Sequence, residues 1–180
     1  GPRILMLESG DWGGIHQYAH ALGNGLSGCG VELALLTTEE YELEDRPCGF
    51  KRIRVLRREG YGRTLSRVWR VLRDFKPDIL HVQSFIAPRK DLVLLFLCRV
   101  LGIKVVLTVH NILPHEVRSF ERLLYCLYYR LAQGLILHSD LNSRRLREMV
   151  SDLQDAYLHV VPHGNYDHLR HLEMGREEAR

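Results

Sequence analysis

The chain has 180 residues, of which 46% are hydrophobic and 26% are charged, and its formal net charge is +3. These values are typical of a soluble globular protein with one domain and a substantial core. A charge of +3 is too small to indicate a nucleic-acid partner by itself, and the basic residues lack the interleaved aromatics of single-strand binders. We therefore expect no nucleic-acid partner.

The spacing of the cysteines and the length of the apolar runs indicate the cellular compartment of the protein. Four cysteines form no CxxC pair and match no zinc-site spacing: Cys29, Cys48, Cys98 and Cys126. Their pattern fits a reducing cytoplasm. The most apolar run, from Leu92 to Cys98, is far shorter than the ~20 residues that span a bilayer, so we expect no transmembrane segment. We expect a cytoplasmic protein, or one peripheral at the inner face of the membrane, and we interpret residues 1–2 as the scar of a cleaved tag.

Short runs rich in Val, Ile and Leu alternate with helical patterns along the chain. The first half predicts strands at 3–8, 31–37, 50–56 and 78–83, and helices at 15–26 and 65–75. The second half predicts strands at 103–109, 135–138 and 158–161, and helices at 91–101, 120–132 and 142–150. Four of these helices are followed by residues that stop a helix: Gly28, Pro77, Gly102 and Gly134.

This order of elements predicts the fold class. Strands that are apolar throughout, rather than alternating, indicate a sheet buried on both faces, and strand–helix alternation indicates βαβ units. We expect an α/β domain with a Rossmann-like, doubly wound and mostly parallel sheet flanked by helices. Such sheets bind ligands at the carboxyl ends of their strands, so the candidate site comprises residues 9–14, 83–87, 110–116 and 139–142.

The first of these segments contains a pair of glycines, Gly13 and Gly14, between a strand and a helix. Glycines there let the backbone come close to a ligand, and the helix N-terminus offers free N–H groups to an anion. The spacing is not GxGxxG, so the dinucleotide-binding fingerprint is missing. A simple tight turn is the alternative interpretation.

The segment from His110 to Glu116 follows the most apolar strand and contains two imidazoles, an amide (Asn111) and a carboxylate. Three interpretations stay open. The segment could contact sugar and phosphate, it could hold a metal through His110, His115 and Glu116, or it could be a structural loop with exposed histidines. No known metal-ligand spacing is matched, and we expect no metal.

His16 and His20 share one face of the first predicted helix, four residues apart. No HExxH pattern or third ligand accompanies them, so we expect both to be exposed to solvent. His16 lies in the first helical turn beside the glycines and could reach a ligand there.

Ten basic residues lie between Lys51 and Lys76, just after an acidic stretch that begins at Glu39. A solvated helix face is one interpretation of the basic stretch. Attraction to an anionic membrane is the other, since each basic residue near such a surface adds ~1 kcal/mol.

Five segments in this order resemble the N-terminal domain of the retaining GT-B glycosyltransferases, of the family-4 type that makes polysaccharides and glycolipids. They are GGIHQY from Gly13, DILHVQ from Asp78, VLTVHN from Val106, LHSD from Leu137 and VPHGNYD from Val161. The resemblance implies a domain over residues 3–165, and a linker or the start of a C-terminal nucleotide-sugar domain over 166–180.

The resemblance also implies roles for residues. His110 matches the catalytic histidine that faces the transferred sugar. Donor and acceptor contacts fall to Gly13, Gly14, His16, Asn111, Glu116 and Ser139. His163 and Gly164 match the hinge between the two domains.

The implied reaction transfers a hexose from a UDP- or GDP-linked nucleotide sugar, with retention, to a saccharide or lipid-linked acceptor. The departing phosphate can take the acceptor proton, so no pair of carboxylates of the glycosidase kind is needed. No tightly bound cofactor is expected. The donor-binding residues of the family's second domain are not among these 180 residues, so we expect the chain alone to be inactive. The alternative is a non-catalytic Rossmann-like binding module, or a subunit of a split glycosyltransferase.

Overall fold

A computed structural model of the protein describes residues 1–57, 59–113, 119–154 and 157–164. The strands within these residues are β1 (Arg3–Leu7), β2 (Glu32–Thr38), β3 (Lys51–Leu56), β4 (Ile79–Val82), β5 (Lys104–Thr108), β6 (Gly134–Leu137) and β7 (Leu158–Val160). The helices are α1 (Gly14–Ser27), α2 (Tyr61–Phe75), α3 (Leu92–Val100), α4 (Ser119–Leu131) and α5 (Asp140–Met149).

The strands form one seven-stranded sheet in the order β3-β2-β1-β4-β5-β6-β7. Every neighbouring pair is parallel, which confirms the predicted doubly wound α/β fold. From β1 the chain proceeds outward to β2 and β3, and from β4 it proceeds outward in the other direction. The carboxyl ends of β1 and β4 therefore flank the switch point at which ligands bind in sheets of this kind.

The sheet is covered on both faces, as its continuous apolar strands predict. In β1, Leu5 and Leu7 pack into a large cluster with buried residues of α2, α3, α4 and α5. Ile4 and Met6 point to the other face and pack with Ala19 of α1. Successive side chains of one strand thus serve two separate apolar layers.

The predicted strands and helices are confirmed, and one helix begins earlier in the structure than the pattern predicts. Helix α2 begins at Tyr61, four residues before the first apolar position of the predicted pattern. Its first turn is mostly polar, so the turn carries no periodic signal, although Thr64 is buried in the structure. In the described part of the chain, no helix is both long and apolar enough to cross a bilayer.

Candidate functional site at the carboxyl edge of the sheet

A buried carboxylate, Glu8, directly follows β1 at the switch point. One of its oxygens accepts hydrogen bonds from the backbone N–H of Gly10 at 2.6 Å and from the hydroxyl of Ser84 at 3.3 Å. The other oxygen lies 2.7 Å from Nδ1 of His16. Glu8 therefore joins the loops that follow β1 and β4 to the first turn of α1.

The prediction that His16 and His20 are exposed is wrong, since only 1% and 5% of their surfaces are accessible. His16 contacts Glu8 inside the domain, and its Nε2 is buried with no hydrogen-bond partner among the described residues. His20 is covered by the segment after β2, where it contacts the Tyr41 hydroxyl at 2.8 Å and the Pro47 carbonyl at 3.1 Å. The side chain of His16 is therefore sealed from solvent.

The two glycines before α1 differ in their backbone requirements. Gly13 has φ +91°, a conformation that residues with a Cβ rarely adopt, whereas Gly14 is already helical. The N–H of Gly13 donates to a carboxylate oxygen of Glu42 at 3.1 Å, and a Cβ at either glycine would meet no atom of the described residues within 4 Å. The turn therefore requires glycine at Gly13 only, and internal packing does not explain Gly14.

A chain of hydrogen bonds runs from the interior of the sheet to His110. The hydroxyl of Thr108 lies 2.8 Å from Nε2 of His81, and the Gln83 amide nitrogen lies 3.0 Å from the same atom. An amide nitrogen only donates, so Nε2 of His81 is an acceptor. The amide oxygen of Gln83 then accepts from Nε2–H of His110 at 3.1 Å. This arrangement leaves Nδ1 of His110 as the ring atom with a free lone pair.

Burial keeps this imidazole neutral. Desolvation lowers the pKa of His81 to about 4. Desolvation, with smaller contributions from the nearby His138, His163 and His81, lowers the pKa of His110 to about 4. At neutral pH the His110 ring is therefore an uncharged group of fixed tautomer at the end of β5.

Three histidines meet at the carboxyl ends of the last three strands, and we name His110, His138 and His163 the histidine cluster. The ring of Tyr18, from α1, lies 5.1, 5.1 and 5.2 Å from their respective ring centroids, edge-on in each case. Nδ1 of His138 lies 2.9 Å from the carbonyl oxygen of Val161. Desolvation, with a smaller contribution from His138, lowers the pKa of His163.

The remaining predicted site residues lie at the same edge. Asn111 is exposed next to His110, and Gly164 is exposed beside His163. The Ser139 hydroxyl caps α5 by accepting from the backbone N–H of Asn142 at 3.2 Å, which is a structural role. Glu116, like His115, lies outside the described residues.

Two cavities open on this edge. One, of about 500 Å³, is lined beside His110 and Asn111 by Arg122, Asn142 and Arg145, among others. The second, of about 590 Å³, lies at the switch point, with Ser9, Gly10, Tyr61 and Lys90 among its lining residues.

Trp12, which is 75% exposed, lies in the loop between β1 and α1. Sequence reasoning missed Trp12, Tyr18 and His138 because each looked like an ordinary helix, loop or strand residue.

The basic stretch is partly paired with acidic neighbours. Glu39 pairs with Arg57, and Glu44 pairs with Arg54. Arg67 on α2 lies 3.1 Å from Glu59. Part of the charge between Lys51 and Lys76 is thus paired within the domain.

The all-parallel Rossmann-like sheet, with polar residues gathered at its carboxyl edge, has the fold of the domains of GT-B glycosyltransferases. The sequence profile of Glycosyltransferase Family 4 matches residues 12–165, and the chain belongs to this family. Among curated proteins, none matches the chain.

Solved structures agree on the fold. HepE from Anabaena in complex with UDP-glucose is similar to 92% of the chain, at 12% identity and a TM-score of 0.71. Sucrose-phosphate synthase from Thermosynechococcus elongatus is similar to 97% of the chain, at 15% identity and a TM-score of 0.69. MurG from Acinetobacter baumannii is similar to 90%, at 18% identity and a TM-score of 0.55. The chain covers 44%, 53% and 45% of these proteins, respectively, and so spans about half of their length.

Proposed function

We propose that the chain is the acceptor-side half of a retaining glycosyltransferase, which moves a hexose from a UDP- or GDP-linked sugar to a saccharide or lipid-linked acceptor. The observation that carries this proposal is the neutral His110, held by Gln83 at the end of β5 beside an open cavity. Membership of glycosyltransferase family 4 and the UDP-glucose bound by HepE support the reaction class.

In this proposal the domain positions reactants rather than supplying an acid and a base. An uncharged imidazole of fixed tautomer lies against the transferred sugar without trapping the donor's anionic phosphates. Arg122 and Arg145, at the same cavity, add positive charge where a leaving diphosphate develops negative charge. The departing phosphate takes the acceptor proton, and no carboxylate pair is required.

The second half of the site is proposed to come from another domain. The chain spans about half of the structures that it resembles, including the complex with UDP-glucose. Donor affinity and turnover therefore require that second domain, and the chain by itself is proposed to be inactive.

Of the two proposed acceptor classes, saccharide and lipid-linked, the surface of α3 and α4 favours the lipid-linked acceptor. Helix α3 is apolar on all sides except Arg99, and its outward side chains Val93, Phe96 and Val100 are 48%, 63% and 67% exposed. Helices that are apolar all round are normally covered. The neighbouring α4 contributes exposed apolar side chains to the same side of the sheet: Phe120, Leu123 and Leu127.

We name the exposed apolar side chains of α3 and α4 the apolar helix face, and we propose that it rests on an anionic membrane. Exposed cations accompany it, with Lys90 before α3, Arg99 within α3 and Arg122 within α4. An apolar surface with basic neighbours matches the interface of an anionic bilayer. We prefer this face to the stretch between Lys51 and Lys76, where acidic partners take up part of the charge and no comparable apolar surface is present among the described residues.

The decisive experiment replaces His110 with Ala in the native gene product that carries this domain, assayed with nucleotide sugars and lipid-linked acceptors. Loss of the positioned imidazole is expected to lower turnover by about 100-fold or more. His159→Ala, an exposed position on β7 outside the histidine cluster, is the control and should leave turnover unchanged. Equal turnover in His110→Ala and in this control would refute the proposed role of His110. No turnover in the unmodified gene product would instead favour the non-catalytic binding module.

A further inference from the structure

The histidine cluster brings together three side chains that are far apart in sequence. The coordinating nitrogens of His110, His138 and His163 lie within 4.8 Å of one another. They come from the ends of β5, β6 and β7, so the parallel sheet itself gathers them. The transferase proposal uses only His110 in its chemistry and gives no reason for the other two rings to converge on it.

In two of the rings, a hydrogen bond to one nitrogen leaves the other nitrogen with an available lone pair. The Val161 carbonyl can only accept, so Nδ1 of His138 carries the proton and Nε2 has the lone pair. This Nε2 is buried, and no described group forms a hydrogen bond with it. His110 donates through Nε2 to Gln83, which leaves Nδ1 with the lone pair. Imidazoles that bind metals are held in the same way, with the other ring N–H given to a carbonyl oxygen.

Metals bind imidazole in its neutral form. Charging more than one of these close rings would add repulsion among them. A dication shared by neutral rings avoids that repulsion.

We propose that His110, His138 and His163 form a binding site for a divalent transition-metal ion of the zinc type. Three imidazoles favour Zn²⁺, Co²⁺, Ni²⁺ or Cu²⁺ over Mg²⁺ and Ca²⁺, which prefer oxygen ligands. A tetrahedral ion with three histidines keeps a fourth position for water or a substrate oxygen. This ligand set differs from the set of His110, His115 and Glu116 considered from the sequence, and it replaces the expectation of no metal.

The spacing of the ring nitrogens determines how far the side chains must move for the ion to bind. With bonds of about 2.0–2.1 Å, the nitrogens of a tetrahedral site lie about 3.3 Å apart, so the most distant pair must approach by about 1.5 Å. His163 is exposed and follows the last strand, so it is the ligand expected to move. Tyr18 packs edge-on against all three rings and limits how far they can spread.

Occupancy has a consequence for the proposed transferase. The ion would engage His110, the residue proposed to face the sugar, and would hold His163 against the ends of β5 and β6. Metal binding is therefore expected to inhibit transfer. The metal site itself does not rest on the transferase proposal, because binding is measured without any sugar substrate.

The test is a titration of the full chain, free of any histidine tag, with Co²⁺ and then Zn²⁺. We expect the intense visible d–d bands of four-coordinate Co²⁺ at one ion per chain, bleached by Zn²⁺. His163→Ala and His138→Ala should each weaken Co²⁺ binding by at least about tenfold, which is the lower end of the effect of losing even a supporting contact. His159→Ala, which removes an exposed histidine near the cluster, should bind as the unmodified chain does.

Two results would overturn the proposal. One is a Co²⁺ spectrum of octahedral, water-like form at saturation. The other is equal affinity in the His159→Ala and His163→Ala chains. Circular dichroism checks folding, and the exposed His163 keeps the test decisive if His138→Ala destabilises the domain. If the native gene product bound four-coordinate Co²⁺ but had no transferase activity, the proposed function would be refuted and the metal site would stand.

Discussion

The imidazole of His16 lies 2.7 Å from the carboxylate of Glu8, and both side chains are sealed from solvent. This pair joins the end of the first strand to the first turn of the first helix. Since the same carboxylate also accepts from Gly10 and Ser84, it organises the loops on both sides of the switch point.

Removal of the Glu8 carboxylate should be costly. In Glu8→Ala, the N–H of Gly10 and Nδ1 of His16 lose their acceptor in a buried place, and we expect the free energy of unfolding to fall by about 3 kcal/mol. Urea denaturation measures this value. Glu42→Ala, which removes an exposed acceptor of the Gly13 N–H, should cost less than about 1 kcal/mol. Equal losses in the two variants would show that burial does not strengthen the Glu8 contacts.

The two glycines should separate stability from ligand binding. Gly13→Ala forces a side chain into positive φ and should cost about 1–2 kcal/mol of stability. Gly14→Ala is in a helix and should leave stability unchanged or raise it by up to about 1 kcal/mol. If the loop approaches a ligand closely, Gly14→Ala nevertheless lowers the turnover of the native gene product. Thermal melts and the transferase assay report the two effects, and unchanged turnover in Gly14→Ala would leave the turn with a structural role only.

Acid should destabilise the domain through His81. Burial lowers its pKa from 6.5 to about 4, so the unfolded chain binds the proton more readily than the folded chain. The contribution is fully present above pH 6.5 and is lost as the pH falls towards 4, up to roughly 3 kcal/mol. Urea denaturation from pH 7 to pH 4 should show a shallower decline in His81→Gln than in the unmodified chain. The exposed His159→Gln should decline like the unmodified chain, and an unaltered decline in His81→Gln would exclude His81 as the cause.

The apolar helix face should bind vesicles that contain anionic lipid. Burying a Phe side chain is worth about 1.5–3 kcal/mol, so the double variant Phe96→Ser and Phe120→Ser should bind at least about tenfold more weakly. The matched control replaces Arg63 and Arg70, two exposed cations of α2, with Ser. Sedimentation with phosphatidylglycerol vesicles at low salt measures both. A greater loss in the arginine variant than in the phenylalanine variant would return the contact to the stretch between Lys51 and Lys76.

The sequence predicted the sheet because its strands are apolar throughout, and that signal is local. The place of His110 followed from the strand-end rule alone. Burial of His16 and His20 was mispredicted because it depends on Glu8 and on Tyr41, which reach α1 only after folding. Burial by segments that are distant in sequence leaves no periodic pattern of apolar residues in the helix itself.

The convergence of the histidine cluster could not be predicted for a related reason. His110, His138 and His163 become neighbours only when β5, β6 and β7 pair in that order. The pattern of apolar residues gives the existence of strands but not their neighbours. Similarly, the acidic partners of the basic stretch follow from β2 and β3 lying side by side.

Tyr18 stands one helical turn after Gly14, and its ring touches the histidines at the ends of the last three strands. Any rotation of the segment after β7 would therefore change the packing of this ring. One aromatic side chain of α1 thus connects the segment by which the chain leaves the sheet with the helix that follows its first loop.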